Sequence, residues 1–192
     1  MNSTTAHRLP NLQEKGRIMS ASEIERTLVR LAHEIVEKNN GSEDLVLIGI
    51  KRRGVPLANR LSSLIQNIEK KPIPTGTLDI TLYRDDLSTV GVSPVIQKSS
   101  PLGVEINNKN VILVDDVLYT GRTTRAAMDA VFDHGRPRRV QLCVLIDRGH
   151  RELPIEAVFI GRTIQTTDRE IVEVRLNEID QQEQVVLVER VS

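Results

Sequence analysis

The stretch that most constrains this chain is residues 111–124, Val-Ile-Leu-Val-Asp-Asp-Val-Leu-Tyr-Thr-Gly-Arg-Thr-Thr. Its first four residues are a continuous apolar run, the pattern of a strand covered on both faces in a parallel sheet. Two adjacent carboxylates, Asp115 and Asp116, close that run. The chain then turns through Tyr119, Thr120 and Gly121 into a helical pattern over residues 124–134. A helix start after a glycine-containing turn offers unpaired backbone N–H groups and the positive end of a dipole, which suits a phosphate. The hydroxyls of Thr120, Thr123 and Thr124 add donors there. Paired acids beside a phosphate cradle repel a bare polyanion. They make sense as acceptors from sugar hydroxyls or as ligands of Mg2+, a hard cation that prefers oxygen. The stretch therefore asks for a phosphorylated sugar with a metal-bound anion beyond it.

A chain of 192 residues fits one domain with a substantial core. Lys plus Arg and Asp plus Glu each number 26, so no whole-molecule field points to nucleic acid, and any basic surface must be local. Aromatic residues are 2% of the chain, few for a protein that stacks bases on exposed rings. No apolar run reaches membrane-spanning length, no secretory layout opens the sequence, and the lone Cys143 sits inside a buried-strand pattern. A reducing cytoplasm is the expected compartment.

Residues 1–17 show no periodicity and read as a loose tail before a single domain at 18–192. Ser22 and Glu25 fit a capping box ahead of a helix whose stripe is Ile24, Leu28, Leu31 and Ile35, ending at Asn39-Asn40-Gly41. A short apolar strand, 45–50, leads into Lys51-Arg52-Arg53-Gly54 and a helix over 55–68 with Pro56 in its first turn. Three cations at a strand-to-helix junction form a second candidate anion site. Residues 72–83 read as a strand in which Leu78, Ile80 and Leu82 alternate with polar neighbours. The segment 87–103, rich in Ser, Pro and Gly, is too long for an ordinary connection and reads as a flexible lid with Arg84 at its hinge. Further strands are expected at 140–146, 158–160, 171–176 and 185–188. Arg136, Arg138, Arg139, Arg148 and Arg151 crowd one stretch of sequence with Asp147 as their sole opposing charge.

Several rivals fail on the residues. A P-loop needs G-x-x-x-x-G-K-[ST], and the spacing Gly49 to Gly54 continues with Val55. No G-x-G-x-x-G, no Cys/His cluster and no G-x-S-x-G elbow occurs.

Residues 111–124 closely resemble the phosphoribosyl-pyrophosphate (PRPP) signature of type I phosphoribosyltransferases. With residues 79–87 and 147–154, they resemble the bacterial pyrimidine-operon regulators that double as uracil phosphoribosyltransferases. The likeness runs from about Arg17 onward. It implies an α/β fold with a central, mostly parallel sheet flanked by helices, a flexible lid loop and a small C-terminal hood. It implies that Asp115 and Asp116 hold the ribose hydroxyls and Mg2+, and that Val117, Leu118, Tyr119, Thr120, Gly121, Arg122, Thr123 and Thr124 wrap the 5-phosphate. Lys51, Arg52, Arg53 and Gly54 would meet pyrophosphate, with Arg84 closing over it. Arg148 and the backbone of Ile171 and Val172 would hold uracil. The implied reaction converts uracil and PRPP to UMP and pyrophosphate, with Asp115, Asp116 and Arg84 as its catalytic groups. Tyr119 stands where 6-oxopurine relatives carry an acid, which weighs against guanine and hypoxanthine; it does not separate uracil from orotate.

The same resemblance implies binding of the pyrimidine-operon mRNA leader with UMP or UTP as co-ligand, promoting transcription termination, through Arg30, His33, Lys38, His150, Arg151 and Arg162. A homodimer would double that basic face. Two positions depart from the pattern: Val29 replaces a hydroxyl residue and Glu156 a basic one, which weakens phosphate contact and lowers salt sensitivity. The alternative reading is a nucleotide sensor or salvage enzyme of the same fold without specific RNA binding.

Overall fold

The computed structural model describes residues 11–83 and 102–191. Elements follow in the order β1 (Asn11–Ser20), α1 (Ala21–Lys38), β2 (Leu45–Ile50), α2 (Gly54–Glu69), β3 (Thr75–Leu78), a single 3-10 turn (Thr81–Tyr83), β4 (Asn110–Leu118), α3 (Arg122–His134), β5 (Arg139–Asp147), β6 (Phe159–Thr163), β7 (Glu170–Arg175), α4 (Asn177–Asp180) and β8 (Gln184–Val191).

Five strands form an all-parallel sheet in the order β3-β2-β4-β5-β6. All six residues of β2 are buried, as are the first six of β4, which is why 45–50 and 111–114 read as unbroken apolar runs. One face packs against α1 and α2 through Leu28, Leu31, Leu57 and Leu61; the other packs against α3 through Ala126, Ala130 and Val131. From β2 the chain moves outward to β3 on one side, whereas β4, β5 and β6 extend on the other. The strand order therefore reverses between β2 and β4, and the loops leaving their carboxyl ends part around a crevice there, the usual ligand position in open parallel sheets.

A second, antiparallel sheet, β1-β8-β7, forms the hood. This corrects two expectations. The hood is not purely C-terminal, because β1 is one of its edge strands, and residues 11–17 of the expected tail are strand. Asn-Leu-Gln-Glu-Lys-Gly-Arg-Ile lacks alternation and β1 pairs through two register shifts, so it owes its form to its partner β8. Charge fastens it further, through Lys15–Glu170 at 2.8 Å and Arg175–Glu14 at 3.1 Å.

Smaller corrections follow the same logic. The capping box is Ser20 with Glu23, two residues earlier than expected, since β1 runs directly into α1. The strand expected over 72–83 stops at Leu78, and Thr81 to Tyr83 form the 3-10 turn, because the side chain of Asp79 captures the Thr81 N–H and hydroxyl. β4 continues through both acids to Leu118, held by pairing of Asp115 with Val144 and Val117 with Ile146. The five clustered arginines are split by β5: Arg136, Arg138 and Arg139 lie at its start, Arg148 and Arg151 beyond its end, with about 30 Å of extended chain between. Arg138 pairs with Asp44, so Asp147 is not the only opposing acid. No helix of the described residues is long and apolar enough to cross a membrane.

Candidate active site

The crevice at the strand-order reversal is a cavity of about 410 Å³ lined by Lys51, Arg52, Arg53, Asp79, Ile80, Thr81, Asp115, Asp116, Val117 and Thr123. The sheet thus brings the two sequence-distant signals, the cationic turn after β2 and the paired acids of β4, to one place.

Asp115 is buried; desolvation and then the adjacent Asp116 charge push its carboxyl well above the usual carboxylate range. Its Oδ1 accepts the Asp116 N–H at 2.9 Å, and Asp116 Oδ1 accepts the Val117 N–H at 2.9 Å. Successive side-chain-to-backbone bonds hold both carboxylates in place at the mouth of the crevice. Opposite them, Lys51 and Arg52 are exposed, and the peptide joining them is cis. Lys51 Nζ lies 3.2 Å from Asp79 Oδ2. Asp79 is held below the ordinary carboxylate range, first by the Thr81 hydroxyl and N–H and then by Lys51.

Gly54 starts α2 against β4 so closely that an added Cβ would stand 2.2 Å from the Val114 carbonyl oxygen. This is what keeps the cationic turn beside the acids. Gly121, at φ +91°, turns β4 into α3 in the left-handed region and packs on Ile155 and Leu153. Gly121 at the N-cap has no side chain to offer, the Arg122 N–H reaches only the neutral Thr120 hydroxyl at 3.4 Å, and the first turn of α3 holds no acid, so its N-terminus keeps its positive character.

The expected site residues do not all meet in one place. Lys51, Arg52, Arg53, Asp115, Asp116, Val117 and Thr123 meet in the crevice. Arg53, however, is committed to the hood: its Nε and Nη2 donate to both carboxylate oxygens of Asp180 at 3.1 and 2.8 Å. Gly54, Leu118, Thr124 and Val172 are buried, and the side chains of Leu118 and Val172 belong to the two core clusters. Tyr119, Thr120, Gly121 and Arg122 form the turn and the first residue of α3, and Ile171 is half-buried on β7. Buried Arg148 lies over the Tyr119 ring, 4.0 Å from its centroid, and donates to Thr166 Oγ1, Thr167 O and Glu170 O, bolting the loop before β7 to the end of β5. Arg84 and most of the expected lid lie outside the described residues.

Asp79 and Thr81 were missed as site residues. Asp79 directly follows the end of β3 while Asp115 and Asp116 lie near the end of β4, and parallel strands deliver their ends to one edge.

The phosphoribosyl transferase domain family matches residues 16–179. "Bifunctional protein PyrR" of Pelotomaculum thermopropionicum is 55% identical over 92% of this chain and 97% of its own length. The protein of the same name from Thermus thermophilus is 52% identical, again over 92% and 97%. This chain is a phosphoribosyltransferase of the PyrR family. Solved structures agree in fold: a Bacillus anthracis hypoxanthine-guanine phosphoribosyltransferase has a TM-score of 0.67 at 22% identity, covering 93% of this chain and 99% of its own. A Trypanosoma cruzi hypoxanthine phosphoribosyltransferase reaches 0.69 at 17%, covering 93% and 98%. At such identities the likeness concerns the PyrR chain's fold alone.

Proposed function

We propose that this PyrR-family chain transfers phosphoribose from PRPP to uracil, giving UMP and pyrophosphate, and that it regulates pyrimidine genes by uridine-nucleotide-dependent binding to their mRNA leader. The observation that carries the first part is the convergence of Asp115, Asp116 and the acid-free start of α3 on one strand-order reversal. The α3 turn takes the 5-phosphate, Asp115 and Asp116 accept from the ribose hydroxyls, and Lys51 and Arg52 face the pyrophosphate. A uracil nitrogen displaces pyrophosphate at the anomeric carbon, losing its proton as the new C–N bond forms. Positive charge builds on the ribose as in glycosyl transfer, so positioning and neutralisation of the leaving group supply most of the rate.

Mg2+ fits this donor set. A buried carboxylate whose charge is disfavoured, next to a second one, suits a divalent cation, and no trio of metal-binding side chains exists among the described residues. That pattern matches Mg2+, which keeps its waters and is held by one or two carboxylates plus substrate phosphates. Bound there, it would neutralise the departing pyrophosphate.

The regulatory part is supported by cations of α1, β6 and the segment after β5, although Arg30 pairs with Glu34 and Arg162 with Glu23. Arg30 Nη2 donates to Ile160 O and Gly161 O at 3.1 and 2.6 Å, tying α1 to β6, while Lys38 lies over the Phe159 ring. Arg162 on β6 and His150, bonded to Thr166 O, belong to the same group, with His33 on α1 and Arg151 completing the proposed set. A cytoplasmic homo-oligomer would multiply it.

Purified protein with uracil, PRPP and Mg2+ is expected to form UMP, and Asp116→Asn to lower kcat by about 100-fold or more, the scale for losing one preorganised charge contact. Orotate as the substrate turned over, with uracil inert, would refute the assignment. A gel shift against the leader should tighten on adding UMP, whereas equal affinity for an unrelated hairpin would leave only charge attraction.

A further inference from the structure

Arg151 belongs by sequence to the RNA-facing group, yet its guanidinium turns inward. Nε donates to Ile155 O at 2.9 Å, Nη1 to Tyr119 O at 2.9 Å and Gly149 O at 3.2 Å, and Nη2 to Asp147 Oδ2 at 2.6 Å. Its side chain is only 23% exposed. The other oxygen of Asp147 accepts the Gly149 N–H at 3.0 Å, so one carboxylate organises the turn from both ends.

The backbone around Arg151 grips the phosphate turn too. The N–H of Arg148 donates to Leu118 O at 3.1 Å, and those of Glu152 and Leu153 donate to Thr120 O at 3.0 and 3.2 Å. With Arg151 on Tyr119 O, three consecutive carbonyls of the turn are held by residues 148–153. In a trans peptide the carbonyl of one residue and the N–H of the next point oppositely. Fixing these carbonyls therefore aims the N–H groups of Tyr119, Thr120 and Gly121 away from residues 148–153, as a phosphate cradle needs. On the outer side of the same segment, His150 sits at φ +58° between Gly149 and Arg151, its ring against the edge of Tyr119 at 5.9 Å. A cavity of about 680 Å³, lined by His150, Arg151, Glu156 and Thr166 among others, opens beside it.

We infer that Arg151 is a positioning residue that links occupancy of the phosphate turn to the shape of the RNA face, rather than a direct RNA contact. This deepens the proposed function and rests on it. A nucleotide phosphate that draws on the Tyr119 and Thr120 peptides shifts the balance of bonds at Arg151, and with it the neighbouring His150. By linkage, RNA and UMP then tighten one another by the same factor, within about 5–150-fold for couplings of this kind.

The decisive experiment titrates full-length protein with leader RNA, with and without saturating UMP, and separately with UMP alone. Arg151→Lys keeps the positive charge but replaces the planar fork with one ammonium that cannot serve four acceptors. Asp147→Asn breaks the same strut without altering any cation. In both, the UMP enhancement of RNA binding is expected to fall to within about twofold of one, and UMP affinity to weaken, as loss of a coupling free energy requires. Arg151→Gln that lowers RNA affinity equally with and without UMP, at an unchanged enhancement, would show a direct contact and overturn the inference. So would Asp147→Asn with wild-type enhancement. If the wild-type protein binds no RNA, it is the regulatory reading that fails. Weaker UMP binding in both variants then still supports the strut, and unchanged UMP binding rejects it.

Discussion

The parallel sheet and the hood share one hydrophobic core, which Met19, Val172, Val174 and Val185 of the hood enter, but differ in what fastens them beyond it. β2 and the first six residues of β4 are buried on both faces, and the sheet they build packs against helices on each side. In the hood, β7 alternates buried and half-buried residues. Ion pairs fasten it: Lys15–Glu170 and Arg175–Glu14 within the sheet, Arg53–Asp180 and Arg60 to Glu178 and Glu183 onto α2. Packing density resists displacement far more steeply than solvated charge pairs do. The rigid sheet accordingly carries the acids and the turn proposed for the 5-phosphate, where tenths of an ångström matter. The charge-fastened hood covers the part of the site proposed for the base.

The largest effect should come from the closest approach in the sheet. Gly54→Val would place side-chain atoms in the Val114 carbonyl, and because backbone yields less than side chains the cost should exceed that of ordinary core overpacking, at about 5 kcal/mol. At roughly 2–4 °C per kcal/mol for a chain of this size, thermal melting should fall by about 10 °C or more. Melting within experimental error of wild type would mean that the approach of α2 to β4 is not a constraint.

Next, paired truncations compare the two sheets directly. Leu47→Ala in β2 should lose about 2–5 kcal/mol in a urea titration, the range for a fully buried leucine. Leu187→Ala in β8, only partly buried, should lose appreciably less. Equal losses would erase the distinction.

Asp115→Asn should separate stability from activity. The folded carboxyl has a raised pKa, so its ionisation opposes folding, and stability is lost as pH rises from the ordinary carboxylate value through the folded one. The amide keeps an oxygen for the Asp116 N–H and removes this penalty. Ligand-free protein at neutral pH should therefore melt higher while turnover drops; lower melting would contradict the burial argument.

The smallest effect is expected in the hood. Glu170 is held at about 2, first by Lys15 and then by the Thr167 N–H. A depressed carboxyl stabilises the fold above its unfolded value near 4.5 and ceases to as pH falls through about 2. Glu170→Gln should flatten the acid limb of a stability–pH profile between those values. An unchanged limb would show that this ion pair contributes nothing measurable.

Legibility followed the same division. Residues 45–50, 111–114 and 140–146 announced their strands because burial on both faces leaves almost nothing but apolar residues, buried Gln141 being the exception. β1 announced nothing, since its residues satisfy β8 rather than any pattern of their own. Asp115, Asp116 and the glycine-threonine turn were readable because adjacent acids and a glycine before a helix are local chemistry. Asp79 and Thr81 were passed over because their role depends on β3 ending at the same edge as β4.

The arginines mark the boundary. Local sequence determined that this chain has an apolar strand carrying paired acids and a glycine turn into a helix, because strand burial, carboxylate chemistry and helix polarity act within a dozen residues. Only the tertiary structure decided which cations face the crevice. Lys51 and Arg52 remain exposed there, while Arg53, Arg148 and Arg151 are claimed by Asp180, Tyr119 and Asp147. A cation's partner is whichever acceptor folding brings nearest, and sequence spacing does not encode that distance.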